Sequence, residues 1–239
     1  MLRAVLFDLD DTLFDHHGCA RDALAAVRDG HACFSAVRFE EFARAHAHYL
    51  EELHREVMLG RLPLDDARRE RFRRLFGAAG VTAGDDLVDL AATTYRDRYR
   101  EARRAVQGVA VLLPLVKARA RVGVVSNNLL AEQREKVMVC GLDAFVDALV
   151  VSEEAGVAKP DPAIFRLALD RLGCRPDEAV MVGDSWSADI VGARASGIRA
   201  IWFNRSGEAP PEDDRSIAEL RALEPADAVL RVIFDANRD

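Results

Sequence analysis

Long apolar runs are missing from this sequence. The longest, Val109 to Val116, is interrupted by Pro114 and stopped by Lys117, far short of the roughly 18 to 20 residues a membrane span needs. No membrane partner is expected. Cysteine is sparse and scattered: Cys19, Cys33, Cys140 and Cys174 form no C-x-x-C pair, so neither a zinc site nor a disulfide framework is suggested. A basic excess is missing too. Lys plus Arg number 33 against 40 Asp plus Glu, a formal net charge of −7, which argues against the cationic surface that a nucleic-acid polymer would require. The sequence holds no internal repeat and no low-complexity segment. Met1-Leu2-Arg3-Ala4 leads straight into a strand-like run without an apolar signal segment before it, and the expected location is the cytoplasm.

What is present is enough for a packed core. Half of the 239 residues are hydrophobic and 31% are charged, which suits one sizeable α/β unit or a core domain with a modest insertion. Ala4 to Asp10 (AVLFDLD) reads as a buried parallel strand ending in acid. From about Arg21 to Val106 the pattern becomes helical, with Phe42, Ala45, Tyr49, Leu53 and Val57 on one face. Thr82 with Asp85 three residues later resembles a capping box. After Gln107-Gly108 strands and helices alternate: helix Val109 to Ala118, strand Val122 to Val125, helix Leu130 to Cys140, strand Ala148 to Val151. Helix Pro162 to Leu172, strand Ala179 to Val182, helix Trp186 to Ser196 and a last strand, Arg199 to Phe203, follow. Such alternation implies a parallel sheet with right-handed crossovers, so the helical stretch is an insertion after the first strand. Ser206 to Asp214 reads as a polar loop, with a closing element near Ser216 to Phe234.

Ligands of open α/β sheets sit beyond the carboxyl ends of the strands. The first strand delivers Asp8, Asp10, Asp11 and Thr12 there; the second delivers Ser126, Asn127 and Asn128. A loop after the third brings Lys159, and the fourth brings Gly183, Asp184 and Ser185, with Asp189 five residues on. Crowded carboxylates raise one another's pKa unless a cation neutralises them, and all-oxygen ligation suits Mg²⁺ better than zinc. Beside a Lys and a small hydroxyl, such a set makes a phosphoryl pocket in which Ser126 and Lys159 hold non-bridging oxygens. One carboxylate can attack phosphorus, and a second, two residues on, can serve the leaving group and then water.

The stretch Phe7-Asp8-Leu9-Asp10-Asp11-Thr12-Leu13, the strand end Val125-Ser126-Asn127, the pair Lys159-Pro160 and Gly183-Asp184-Ser185 with Asp189 resemble, in order and spacing, the four motifs of the haloacid dehalogenase superfamily. The resemblance spans the chain. It implies a Rossmann-like, doubly wound α/β core, residues 1–14 and 106–239, with an inserted α-helical cap, residues 15–105, that closes over the substrate. It also implies Asp8 as nucleophile and metal ligand, and Asp10 as general acid/base with its backbone carbonyl on Mg²⁺. Asp184 would be a metal ligand and Asp189 a support of the metal shell. Ser126 and Lys159 would bind the phosphoryl group, with Asn127 near it. The dehalogenases of the superfamily lack a carboxylate at the position of Asp10, so its presence here points to phosphate-ester hydrolysis.

Val151 to Pro160 (VSEEAGVAKP), Met181 to Ile190 and Trp202-Phe203-Asn204 are similar to pyrimidine 5′-nucleotidases and also to N-acylneuraminate-9-phosphatases. The first expectation is therefore a nucleoside 5′-monophosphate as substrate, with a sugar or acyl-sugar phosphate as the alternative. A phosphoryl-transfer mutase would use the same site, and a non-catalytic phospho-receiver presents a related acidic pair, though without the helical insertion or an acid pair like Asp184 and Asp189. A monomer or homodimer acting on a small phosphorylated metabolite is expected. Asp11 is expected to turn away and bond locally, and His16 and His17 to be exposed loop residues. The run Arg68 to Arg74 (RRERFRR), interleaved with Asp65, Asp66 and Glu70, reads as a solvated helix face. Trp186 has two readings, lining the pocket mouth or packing under the cap.

Overall fold

Strand β1 covers Ala4–Phe7 and is buried throughout, ending three residues before Asp10 because the chain turns where its acids begin. Asp8 still donates its N–H to Val182 O at 2.9 Å. Leu9 O then accepts from Leu13 N at 2.9 Å and Phe14 N at 2.8 Å, which folds the segment back. Asp11 takes φ +63° in this turn, a region Asp tolerates better than most side chains. This computed structural model describes residues 1–210 and 217–235. The chain divides into two compact units, Met1–Asp15 with Arg104–Asp239, and His16–Arg103.

The second unit is helical: α1 (His16–Gly30), α2 (Phe39–Met58), α3 (Leu64–Ala78) and α4 (Asp85–Ala102). Its core joins Leu24 and Val27 of α1, Phe34, Phe42 of α2, Phe72 and Phe76 of α3 and Val88 and Ala91 of α4. The Phe34 ring lies 4.6 Å from that of Phe42 and 4.8 Å from that of Phe76; each such buried side chain contributes about 1.5–3 kcal/mol relative to exposure. On α2 the expected face holds, with Phe42 and Leu53 buried, and His46 is buried on it as well. His16 and His17 open α1 rather than lying in a loop. The capping box does not form. Helix α4 begins at Asp85 with Gly84, which has no side chain to accept, as its N-cap in place of Thr82, and the Asp85 carboxylate accepts from Arg73 Nη2 at 2.8 Å.

The first unit resumes with α5 (Val109–Lys117), β2 (Arg121–Ser126), α6 (Leu130–Val139), β3 (Ala148–Val151), α7 (Ser152–Ala155) and α8 (Pro162–Leu172). After them come β4 (Ala179–Gly183), α9 (Val191–Ala195), β5 (Arg199–Phe203), β6 (Ala218–Leu220) and α10 (Ala226–Phe234). The sheet runs β3-β2-β1-β4-β5-β6, with each pairing parallel. This is the Rossmann-like, doubly wound order, whose connections reverse direction at β1. Helix α8 buries Ile164, Phe165, Ala168, Leu169 and Leu172 in one cluster with Leu6, Val125, Val150 and Met181 of four strands.

Two elements depart from expectation. The helix expected from Trp186 to Ser196 begins as a wide turn, Trp186–Ile190, before α9, with Ser185 O accepting from both Asp189 N at 2.8 Å and Ile190 N at 3.3 Å. Strand β5 is not the last, because β6 adds a three-residue edge through Phe203↔Leu220 and its neighbours. Of the expected polar loop Ser206 to Asp214, residues 211–214 lie outside the described residues, as does Ser216. Among the described residues no helix is long and apolar enough to cross a membrane, and all four cysteines are free thiols.

Candidate active site

Register places the acids. Phe7 pairs with Val124 of β2 and Val182 of β4, so Asp8, one residue on, stands level with Val125 and Gly183, and Asp184 follows directly. Asp8, Asp184 and Asp189 each bring a carboxylate oxygen within 4.8 Å of the others. Lys159 holds the group together. Its ammonium donates to Asp8 Oδ1 at 2.5 Å, Asp189 Oδ1 at 2.7 Å and Val125 O at 2.7 Å, which uses its three hydrogens.

The electrostatics follow from burial. Asp8 is raised well above the ordinary carboxylate range by burial first, against the pull of Lys159, with Asp189 and Asp184 adding repulsion. Asp184 is pushed up to about 7 by burial, Asp189 and Asp11. Burial alone would lower Lys159, but Asp189 and Asp8 outweigh it and hold the ammonium above its usual range. Three acids against one buried cation leave negative charge uncompensated, and an all-oxygen donor set of this kind fits Mg²⁺.

Asp189 is fully enclosed, and its second oxygen accepts from Ser185 N at 3.0 Å. Glycine is required beside it: a Cβ on Gly183 would collide with the Asp189 carboxylate. Thr12 Oγ1 donates to Asp184 Oδ1 at 3.3 Å, and Trp202 Nε1 donates to Asp184 O at 2.8 Å. Trp186 packs edge-on against Trp202 with ring centres 5.0 Å apart. Asp11, expected to turn away, is near enough to Asp184 to raise it.

Asp10 and Ser126 belong to a neighbouring set that sequence reasoning missed. Lys136 Nζ donates to both Asp10 oxygens, at 2.6 and 2.8 Å, and Gln133 Nε2 donates to Asp10 Oδ2 at 2.9 Å and Ser126 Oγ at 2.6 Å. Both partners lie on α6 and are buried. The signal was their spacing of three on a helix that opens just after Asn128, which puts both on one face. Asn127 spends its amide on the Lys159 backbone, donating to Lys159 O at 2.9 Å and accepting from Lys159 N at 2.7 Å. That side chain sets the position of Lys159.

The model of the family "Hydrolase: haloacid dehalogenase-like hydrolase" matches residues 2–197. The chain belongs to that family. Among the relatives of this haloacid dehalogenase-like hydrolase is a glyceraldehyde 3-phosphate phosphatase of Methanothermobacter thermautotrophicus, 32% identical and matched over 85% of this chain and 86% of that protein. An N-acylneuraminate-9-phosphatase of Homo sapiens is 26% identical over 93% of each. Of solved structures, a putative hydrolase of the family from Bacillus subtilis, bound to magnesium, superposes with a TM-score of 0.72 at 24% identity, covering 96% of this chain and 98% of that one; it shows the shared fold.

Proposed function

We propose that this hydrolase is a Mg²⁺-dependent phosphomonoesterase that works through an aspartyl-phosphate on Asp8 and takes a small phosphorylated metabolite. The carrying observation is the placement of Asp8, an oxygen nucleophile at the end of β1, on the Lys159 ammonium and beside Asp184 and Asp189. Asp8, Asp184 and, through its backbone carbonyl, Asp10 would hold the metal, with Asp189 behind them. When bound, Mg²⁺ neutralises the carboxylates and the charge that builds on the phosphoryl oxygens.

An Asp8 oxygen attacks phosphorus, forming one P–O bond as the ester P–O bond breaks, and Asp10, which would have to exchange one of its Lys136 contacts for a proton first, gives that proton to the leaving oxygen. Asp10, now ionised, takes a proton from water, whose oxygen attacks phosphorus and frees Asp8 and orthophosphate. Ser126 Oγ–H would donate to a non-bridging oxygen, and Lys159 would do so with the hydrogen it now gives Asp8, once that carboxylate is phosphorylated. The two relatives are named for phosphorylated sugars or sugar acids, which favours that class; the nucleotidase-like segments Val151 to Pro160 and Met181 to Ile190 keep nucleoside 5′-monophosphates beside it.

The test is phosphate release from nucleoside monophosphates, sugar phosphates and acyl-sugar phosphates, with Mg²⁺ or a chelator, for the native chain and Asp8→Asn. Release that needs Mg²⁺ and vanishes in Asp8→Asn is expected. Turnover retained by Asp8→Asn would falsify the nucleophile assignment, and a folded, Mg²⁺-binding protein that releases no phosphate would move the reading to a transferase or a binding role.

A further inference from the structure

The arginine run on α3 is not uniform. Arg68 meets Asp65 at 2.9 Å, Arg69 meets Asp89 at 2.6 Å, Arg73 meets Asp85 at 2.8 Å and Arg74 meets Glu70 at 3.0 Å. Arg71 has no such partner. Only 7% of its surface is exposed, among the described residues no carboxylate pairs with it, and its Nε is buried without a hydrogen bond. The guanidinium rests on aromatic faces, 5.3 Å from the Tyr95 ring centre and 5.8 Å from that of Phe72. Beside it, His46 of α2 is 2% exposed, lies 4.8 Å from the same Tyr95 ring, and keeps its Nε2 buried and unbonded.

A buried charge without a counter-ion is costly, and so is a buried polar nitrogen without a partner. Two of these in contact with one ring, in a chain with a surplus of acids, are accounted for by a ligand. We propose that Arg71 and His46, braced by Tyr95, form an anion site within the helical unit that takes the carboxylate of a small molecule.

The charge balance selects the class. Burial holds His46 well below its ordinary range, with Arg71 and His16 adding to it, so the imidazole is neutral and contributes one N–H, on Nε2 in the tautomer this site requires. Burial pushes the Tyr95 phenol up to about 12, so it stays protonated. The site therefore carries one positive charge, matched to a monoanion rather than to a phosphate dianion, and the guanidinium fork fits two carboxylate oxygens. His16 and Tyr99 extend it, Nδ1 and hydroxyl 2.7 Å apart, with Tyr99 stacked on Tyr95 at 5.9 Å. The carboxylate is that of a free metabolite anion.

One measurement on the full chain tests this. In chelator, sodium glycerate is compared with sodium chloride at equal ionic strength by thermal melting. Glycerate is expected to raise the native midpoint by about 3 °C or more and to leave Arg71→Met unshifted. His46→Leu, which keeps the charge and loses only the imidazole, should need about tenfold more glycerate. Equal responses to glycerate and chloride in the native chain and both variants, or in the native chain and His46→Leu if Arg71→Met does not fold, overturn the site.

Discussion

Asp189 has no exposed surface, yet it is bonded to Lys159 on one oxygen and to the Ser185 amide on the other. Its room comes from the missing side chain of Gly183. Gly183→Ala should therefore lower stability by about 1–3 kcal/mol and reduce activity; a melting curve and turnover matching the native protein would show that the acid relocates without cost. Lys136 tests a different contact. Lys136→Met leaves Asp10 with Gln133 but no cation, and kcat should fall about tenfold to a hundredfold through misplacement, with KM little changed and Lys136→Arg restoring part of the rate. If KM alone rises, Lys136 binds substrate instead. His46 and His31 are both lowered by burial, so below pH about 6.5 the unfolded chain takes up protons that the native one refuses. Stability from this source is present above pH 6.5 and is lost as pH falls. His46→Phe should flatten that loss, by up to about 1.4 kcal/mol per pH unit, in urea titrations at pH 7 and pH 5.

Elements whose ends carry local chemistry were legible in the sequence. Helix α8 runs Pro162–Leu172 as expected because both ends are written locally: Asp161 accepts from Ala163 N at 2.8 Å, Pro162 opens the first turn, and Gly173 closes it at φ +59°. The strands that bring Asp8, Ser126 and Asp184 forward are short apolar runs of a fully buried sheet, which read clearly. β6 did not, since Ala-Glu-Leu has neither length nor alternation and is a strand only because β5 offers an open edge. The wide turn at Trp186–Ile190 was equally hidden. It arises because Asp189 is drawn inward to Lys159, a contact 30 residues away in the chain. The grouping of Gln133 and Lys136 with Asp10 was missed for the same reason, as a pairing across more than a hundred residues has no local signature.

At the scale of the molecule, the helical unit is one continuous stretch and its ends leave and re-enter the first unit side by side. Asp15 N donates to Arg104 O at 3.1 Å, while the Asp15 carboxylate receives Arg104 Nε at 2.9 Å and Arg205 Nη1 at 3.1 Å. A chain in which residues 16–103 are replaced by a short Gly-Ser link should therefore fold, and residues 16–103 alone should form a helical domain around their own aromatic core. Cooperative melting of each, followed by circular dichroism, checks this; a helical piece that melts without a transition would show that its core depends on the rest. The pairing of β1 also sets an order of assembly. Ala4 meets Arg121 on one side and Ala179 on the other, so during synthesis the strand that carries Asp8 has no lasting neighbour until both have emerged, while the helices of residues 16–103 have one another from a single continuous stretch. The earliest-made part of the site is thus the last to be secured, and a ribosome stalled between β2 and β4 would display a folded helical insert beside an unfinished active site.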